Sequence, residues 1–295
     1  MTPPRYVGRF APSPTGPLHL GSLFAAVGSW LDARAAGGRW LLRIEDLDPP
    51  REVPGAADEI VRTLETHGLA WDGPVLRQST RTDAYREALA QLEGDDRLFR
   101  CRCTRRRVRA LGGVYDGRCR SRGMAPTDAP HAVRLQVPEE TIGFRDRLRG
   151  TFAQDLARDV GDFVLVRRDG LFAYQLAVVV DDGAQGVTDV VRGADLLDST
   201  PRQLLLQRLL GLPEPRYLHL PLLLGPDGSK LSKQTGAPGL DRRRARENLT
   251  RVLAWLGLEG APGEPPEVQL TTASRAWESA RLPPRTRIPL DRERR

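Results

Sequence analysis

Lysine is almost absent from this 295-residue sequence: only Lys230 and Lys233 occur, against 43 arginines. Cysteine is scarce too, with three residues, all between positions 101 and 119. An odd number of thiols argues against a disulfide framework. No apolar run approaches 18 residues, which excludes a helical membrane span, and Met1–Arg5 lacks the apolar core of a secretory signal. A cytoplasmic protein with no membrane partner is therefore expected. Internal repeats are absent, as are the Gly-x-x-x-x-Gly-Lys-Ser/Thr and Gly-x-Gly-x-x-Gly phosphate loops.

The charge that is present is predominantly arginine. A net charge of +7 and a pI near 9.9 suit a polyanionic partner, nucleic acid first, although an arginine-biased composition alone gives the same excess. Against that background the two lysines stand out. They lie three positions apart in Gly228-Ser229-Lys230-Leu231-Ser232-Lys233-Gln234. Lysine is a mobile point charge where arginine is a planar fork, so a pair on a Gly/Ser-rich loop suits a phosphate that moves during reaction.

Periodicity places a strand at 6–10, a loop at 11–17, a helix over 18–36 and a second strand at 40–44, with Gly37-Gly38 between helix and strand. Strand, helix and strand in that span make a βαβ unit and imply a parallel sheet. Helices are expected near 56–68 and 81–93. A basic segment with all three cysteines fills 97–122, extended runs follow at 132–137 and 162–168, and the α/β pattern resumes at 176–181, 188–192 and a helix over 200–210. Beyond Lys233 a helix is expected over 242–256. From Pro262 the chain is rich in Pro, Arg and Glu and is expected to be extended or partly disordered, with Trp277 as a possible pin.

The loop Pro12-Ser13-Pro14-Thr15-Gly16-Pro17-Leu18-His19-Leu20-Gly21-Ser22 ends at a helix amino terminus, where free N–H groups and the dipole attract phosphate. Gly16 and Gly21 permit close approach to the backbone, and His19 can donate to a phosphate oxygen. Cys101, Cys103 and Cys119 offer three thiolates to a four-coordinate zinc, and composition offers His131 as a fourth ligand.

These phrases together resemble a class I aminoacyl-tRNA synthetase. His19-Leu20-Gly21-Ser22 is similar to its HIGH signature, with Ser22 in place of the final His, and Lys230-Leu231-Ser232-Lys233-Gln234 is similar to KMSKS. Arg9–Gly16, Arg43–Asp48 and Val191–Asp195 resemble the glutamyl branch, and the likeness runs from about Arg9 to Leu258. The metal segment, Ile44–Gly55 and Arg168–Tyr174 resemble the glutamyl-queuosine tRNA(Asp) synthetase family in particular.

The resemblance implies an α/β fold, a Rossmann-like doubly wound parallel sheet, with an inserted zinc-containing α+β domain and a short helical C-terminal region. On that pattern 1–96 and 175–224 are the halves of the catalytic domain, 97–174 the insertion, 225–261 the KMSKS loop with a helical region, and 262–295 a polar tail. It implies catalytic roles for His19, Lys230 and Lys233. ATP would be held by His19, Gly21, Ser22 and Lys233. Glutamate would be held by Arg9, Ala11, Ser13, Glu45, Tyr174 and Arg192: the arginines suit a carboxylate, and Glu45, at a strand's carboxyl end, suits the ammonium. The implied zinc ligands are Cys101, Cys103, Tyr115 and Cys119, one ion per chain, with Mg²⁺ accompanying ATP. The implied substrates are ATP, L-glutamate and queuosine-containing tRNA(Asp), and a monomer is expected. The 62 residues after Lys233 are not expected to form the large anticodon-binding region of a full glutamyl-tRNA synthetase. A shortened synthetase charging the 3′ end of tRNA(Glu) and a non-catalytic RNA-binding paralogue are the alternatives.

Overall fold

The computed structural model describes residues 6–123, 129–225, 228, 231, 238–279, 282 and 287–289. Strand β1 (Val7–Phe10), helix α1 (Leu20–Ala35) and strand β2 (Arg39–Ile44) form the expected βαβ unit, with β1 and β2 parallel and Val7 opposite Arg39. Glycine is required at the return. Gly37 has φ +62°, and a Cβ on Gly38 would lie 2.4 Å from the Tyr6 carbonyl oxygen. After α2 (Ala56–Thr66), the short β3 (Leu76–Arg77) extends the sheet beside β2, and α3 (Thr82–Gly94) follows.

The second half is built from α7 (Tyr174–Ala184), β9 (Asp189–Gly193), α8 (Thr200–Leu209) and β10 (Arg216–Leu220), with β9 and β10 parallel. The two halves meet where Thr188 N–H donates to the Val7 carbonyl at 2.9 Å. Strands β3, β2, β1, β9 and β10 thus lie side by side in the 3-2-1-4-5 order of a doubly wound sheet, with the switch point between β1 and β9.

Alternation along the strands sorts side chains to the two faces. Val191, Leu218 and Leu220 join one core with Leu23, Val27 and Leu31 of α1. Val190 and Tyr217 join the other with Val178, Leu204 and Leu205 of α7 and α8. Residues two positions further along that second face are Arg192 and His219, both buried. The run 176–181, which reads as apolar sequence, lies within helix α7.

Between the halves lie β4 (Leu98–Cys101), α4 (Arg105–Ala110), α5 (Arg118–Arg122), β5 (Ala132–Leu135), β6 (Thr141–Asp146), β7 (Gly150–Asp155), α6 (Leu156–Asp159) and β8 (Val164–Val166). Strands β4, β5 and β8 form a separate antiparallel sheet. The β6–β7 hairpin does not join it. Tyr217 of β10 pairs with Asp146 of β6, which puts the hairpin on the edge of the catalytic sheet.

The carboxyl-terminal part departs from expectation. β11 (Leu222–Leu224) leads to α9 (Ala245–Trp255), close to the helix expected over 242–256. The segment after Pro262, expected to be extended or partly disordered, contains helix α10 (Pro266–Ala276). Leu270, Ala273 and Trp277 are buried against the α1 core, and Trp277 Nε1 donates to Asp32 at 2.9 Å. Spaced apolar residues and Pro266 in the first helical turn outweigh the polar composition. β12 (Arg287–Pro289) then pairs in parallel with β11. Among the described residues no helix is long and apolar enough to cross a membrane.

Candidate active site

The carboxyl ends of β1, β2 and β9 deliver most of the expected glutamate-site residues to one end of the sheet. A cavity of about 620 Å³ is lined by Ser13, Glu45 and Tyr174, and its walls also include Cys103, Arg105 and Arg134 of the antiparallel-sheet region. The loop after β1 is fixed at this end of the sheet because Glu45 N–H donates to the Pro12 carbonyl at 3.0 Å. Ala11, half-buried, belongs to that loop.

Neither Arg9 nor Arg192 is among the residues that line this cavity, and Arg192 reaches its wall through the Tyr174 hydroxyl. Arg9 is bound through Nε and Nη2 to the two carboxylate oxygens of Asp182 at 3.0 and 3.2 Å, a fork that leaves Nη1 outside the pair. Arg43, fully buried, also reaches Asp182 at 2.7 Å and approaches Glu45 at 3.8 Å. Arg43 and Glu45 are two positions apart on β2 and its end, so both point toward α7. Arg192 donates from Nε to His219 Nε2 at 3.1 Å, from Nη2 to Thr200 Oγ1 at 2.8 Å and from Nη1 to the Tyr174 hydroxyl at 3.4 Å. His219 Nε2 must accept that bond, so the ring is the neutral Nδ1–H tautomer, and Nδ1 donates to Asp146 at 2.7 Å. Burial and the Arg192 charge hold the His219 imidazolium pKa below the ordinary histidine value, in spite of Asp146.

The electrostatics of this cluster are unequal. Burial pushes the Glu45 carboxyl up to about 7, further than Arg43 and Arg9 pull it down, with Asp182 adding to the rise. Burial also raises the Tyr174 phenol, against the Arg192 charge. If Glu45 receives an ammonium, it must do so as the carboxylate, which exists above its pKa. The kcat/KM for glutamate in amino-acid-dependent pyrophosphate exchange is therefore expected to rise with pH through about 7, since that ratio reports ionisation of the free enzyme. Glu45→Gln should flatten the rise. A wild-type profile level between roughly pH 6 and 8 would remove Glu45 from ammonium binding.

His19 is the N-cap of α1, and its Nδ1 accepts from Ser22 N–H at 3.2 Å, which places the ring proton on Nε2. His19, Gly21, Ser22, Gly193, Asp195 and Leu231 line a second cavity of about 170 Å³. Gly21 is needed here: a Cβ would sit 2.9 Å from the His19 ring and 3.2 Å from the Leu231 carbonyl oxygen. Leu231 is held by its N–H to the Leu223 carbonyl at 2.8 Å. Lys230 and Lys233, the expected cationic pair, lie outside the described residues.

Cys101, Cys103 and Cys119 present their sulfurs within 4.8 Å of one another, and all three are free thiols. Cys103 and Cys119 sulfurs are 3.6 Å apart, and Tyr115 Oη is 3.6 Å from Cys101 Sγ while accepting Cys119 N–H at 2.7 Å. A tetrahedron with arms of about 2.3 Å has edges of about 3.8 Å, so the spacing fits one small tetrahedral ion. Burial raises the Cys119 thiol, but hydrogen bonding from Tyr115 and the Arg102 backbone brings it down to about 7, within reach of the thiolate a metal requires. His131, the compositional alternative, is not among the clustered groups, and its Nδ1 lies 3.0 Å from the Ala129 carbonyl.

Sequence reasoning missed Asp182, Arg43, Asp146, Thr200 and His219. A signal was available: Asp181-Asp182 closes an apolar run on α7, and His219 interrupts the apolar strand Tyr217–Leu220. Polar groups set so deep are kept only when paired.

Comparison with known proteins agrees with this geometry. The family of class I tRNA synthetases (E and Q), catalytic domain, matches residues 6–247. The glutamyl-Q tRNA(Asp) synthetase of Pseudomonas putida (strain W619) is 53% identical over 293 residues, covering 98% of both chains. That of Pseudomonas aeruginosa (strain PAO1) is 54% identical over 294 residues, 97% of this chain and 98% of the relative. Among solved structures, the glutamate tRNA ligase from Elizabethkingia meningosepticum in complex with its amino acid aligns with a TM-score of 0.80 at 28% identity, covering 94% of this chain and 66% of that one. A sheet wound in the 3-2-1-4-5 order, a histidine-capped helix at its switch point and nearly full-length likeness agree, and the chain belongs to the glutamyl-Q tRNA(Asp) synthetases of the class I synthetase family.

Proposed function

We infer that this protein activates L-glutamate with ATP and transfers it to the cyclopentene-diol of queuosine in the anticodon of tRNA(Asp). The observation that carries the reading is the likeness over 98% of the chain to relatives of that name, joined to a buried cluster of opposed charges around Tyr174. In this reading Arg9 and Arg192 receive glutamate carboxylates, Glu45 receives the ammonium, and Tyr174, Ser13 and the backbone at Ala11 complete the pocket.

The α-carboxylate attacks the α-phosphorus of ATP in line and pyrophosphate leaves. Such transfer rests on positioning and charge stabilisation, so no protein nucleophile is required. His19, with its ring proton on Nε2, and the α1 amino terminus stabilise oxygens that gain charge, Gly21 and Ser22 admit the nucleotide, and Lys230 and Lys233 follow the departing pyrophosphate. Mg²⁺ accompanies the ATP phosphates. Cys101, Cys103, Cys119 and Tyr115 would hold zinc, which would supply a structural cross-link between β4 and α5.

Labelled glutamate with ATP should label tRNA(Asp) that contains queuosine and leave queuosine-free tRNA(Asp) unlabelled. The 3′-terminal ribose should remain open to periodate after the reaction. Label on the 3′ end of tRNA(Glu) would overturn the assignment in favour of an ordinary synthetase, and failure of glutamate-dependent pyrophosphate exchange would exclude catalysis altogether.

A further inference from the structure

The positive charge of this chain is concentrated in one short segment. Residues 97–122 contain ten arginines and one acidic residue, Asp116, whereas the remaining 269 residues hold 35 basic and 37 acidic side chains. The whole net charge of +7 thus originates in the segment that carries the thiol cluster. Eight of its ten arginines are exposed. Arg107 pairs with Asp116 and Arg120 with Asp162. A composition bias spread through the chain would not leave the other nine-tenths slightly acidic.

The segment reaches the glutamate site through Cys103 and Arg105. The 620 Å³ cavity is lined by Cys103 and Arg105 as well as by Glu45 and Tyr174. Arg134 lines it too, is 8% exposed, and its Nε has no hydrogen-bond partner among the described residues. The guanidinium lies 4.2 Å from the centroid of the Tyr115 ring and donates from Nη1 to the Asp162 carbonyl at 2.6 Å. A buried donor left over in a cavity wall marks a place where an acceptor from a ligand is wanted.

We propose that the arginine face formed by β4, α4 and α5 is the RNA-docking surface, and that it grips the phosphates of the anticodon stem-loop while the cavity beside Arg134 admits the acceptor nucleotide. The proposal rests on the functional reading above for the identity of the RNA. Its physical basis is counterion release: each phosphate neutralised by an arginine adds to affinity and steepens its dependence on salt. The stem is held without base readout, because guanidinium–phosphate contacts position a nucleic acid and do not read it. Selection of the nucleotide then falls to the cavity.

The test compares two triple variants of the full chain for binding to queuosine-containing tRNA(Asp). Arg106→Gln/Arg109→Gln/Arg122→Gln removes exposed charge from the face, and Arg39→Gln/Arg86→Gln/Arg275→Gln removes the same charge from exposed positions elsewhere. The face variant should bind roughly tenfold or more weakly, with the slope of log affinity against log salt reduced by roughly 2 to 3. The control should keep the wild-type slope to within roughly 1. Glutamate-dependent pyrophosphate exchange, which needs no RNA in this reading, should be unchanged in both and reports intact folding. Equal weakening in the two variants, or an unchanged slope in the face variant, overturns the proposal. Absence of exchange in the wild type would strike the functional reading alone, since the binding comparison is scored separately.

Discussion

Asp182→Ala is expected to destabilise the protein by about 3–5 kcal/mol, because it leaves two buried guanidiniums without their shared counterion. Arg9 is 4% exposed and Arg43 is fully buried, and both direct hydrogen bonds at Asp182. For a domain whose total stability is about 5–15 kcal/mol, that is a large fraction. Burial raises the Asp182 carboxyl, but Arg9 and Arg43 outweigh it and hold the group below the usual carboxylate range. The stabilisation is therefore present at neutral pH and is lost as pH falls through that depressed value. Urea unfolding measures the effect directly. Asp182→Asn, which keeps an acceptor and the packing volume, should lose less than the alanine variant. A wild-type midpoint for Asp182→Ala would mean that Asp182 does not anchor the two arginines.

Arg192→Ala is expected to lower kcat/KM for glutamate by roughly 30-fold to several-thousandfold, corresponding to about 2–5 kcal/mol for a desolvated charge pair that loses one partner. The loss should fall on glutamate and leave KM for ATP nearly unchanged. Arg192→Lys should not restore activity. An ammonium cannot reach His219 Nε2, Thr200 Oγ1 and the Tyr174 hydroxyl together, as the guanidinium does through three nitrogens. A kcat/KM within about threefold of wild type in the alanine variant would show that Arg192 does not receive a substrate carboxylate.

Much of the fold was legible because two periodicities are clean at the amino terminus. The 3.6-residue spacing of Leu20, Leu23, Val27 and Leu31 and the glycine pair at 37–38 mark the βαβ unit to within a residue or two of β1, α1 and β2. The expected site residues stand out in the sequence where they lie in loops or at strand ends, as with His19 and Glu45. Those missed are embedded in apolar elements. Asp182 and His219 read as interruptions of hydrophobic runs, and only the fold reveals that Arg9 and Arg192 lie opposite them. The tail was misread for a related reason: its composition is polar, yet Leu270, Ala273 and Trp277 reach one face of α1. Composition averages over a segment, whereas burial depends on a few correctly spaced residues.

Asp146 lies on β6, inside the stretch between the two catalytic halves, yet it fixes the tautomer of His219 and through it the guanidinium of Arg192. The thiol-bearing sheet and the β6–β7 hairpin are thus unequal candidates for transplantation between relatives. A chimera that exchanges the former leaves the Asp146–His219–Arg192 chain intact, whereas one that also replaces the hairpin imports a foreign support for the Arg192 guanidinium.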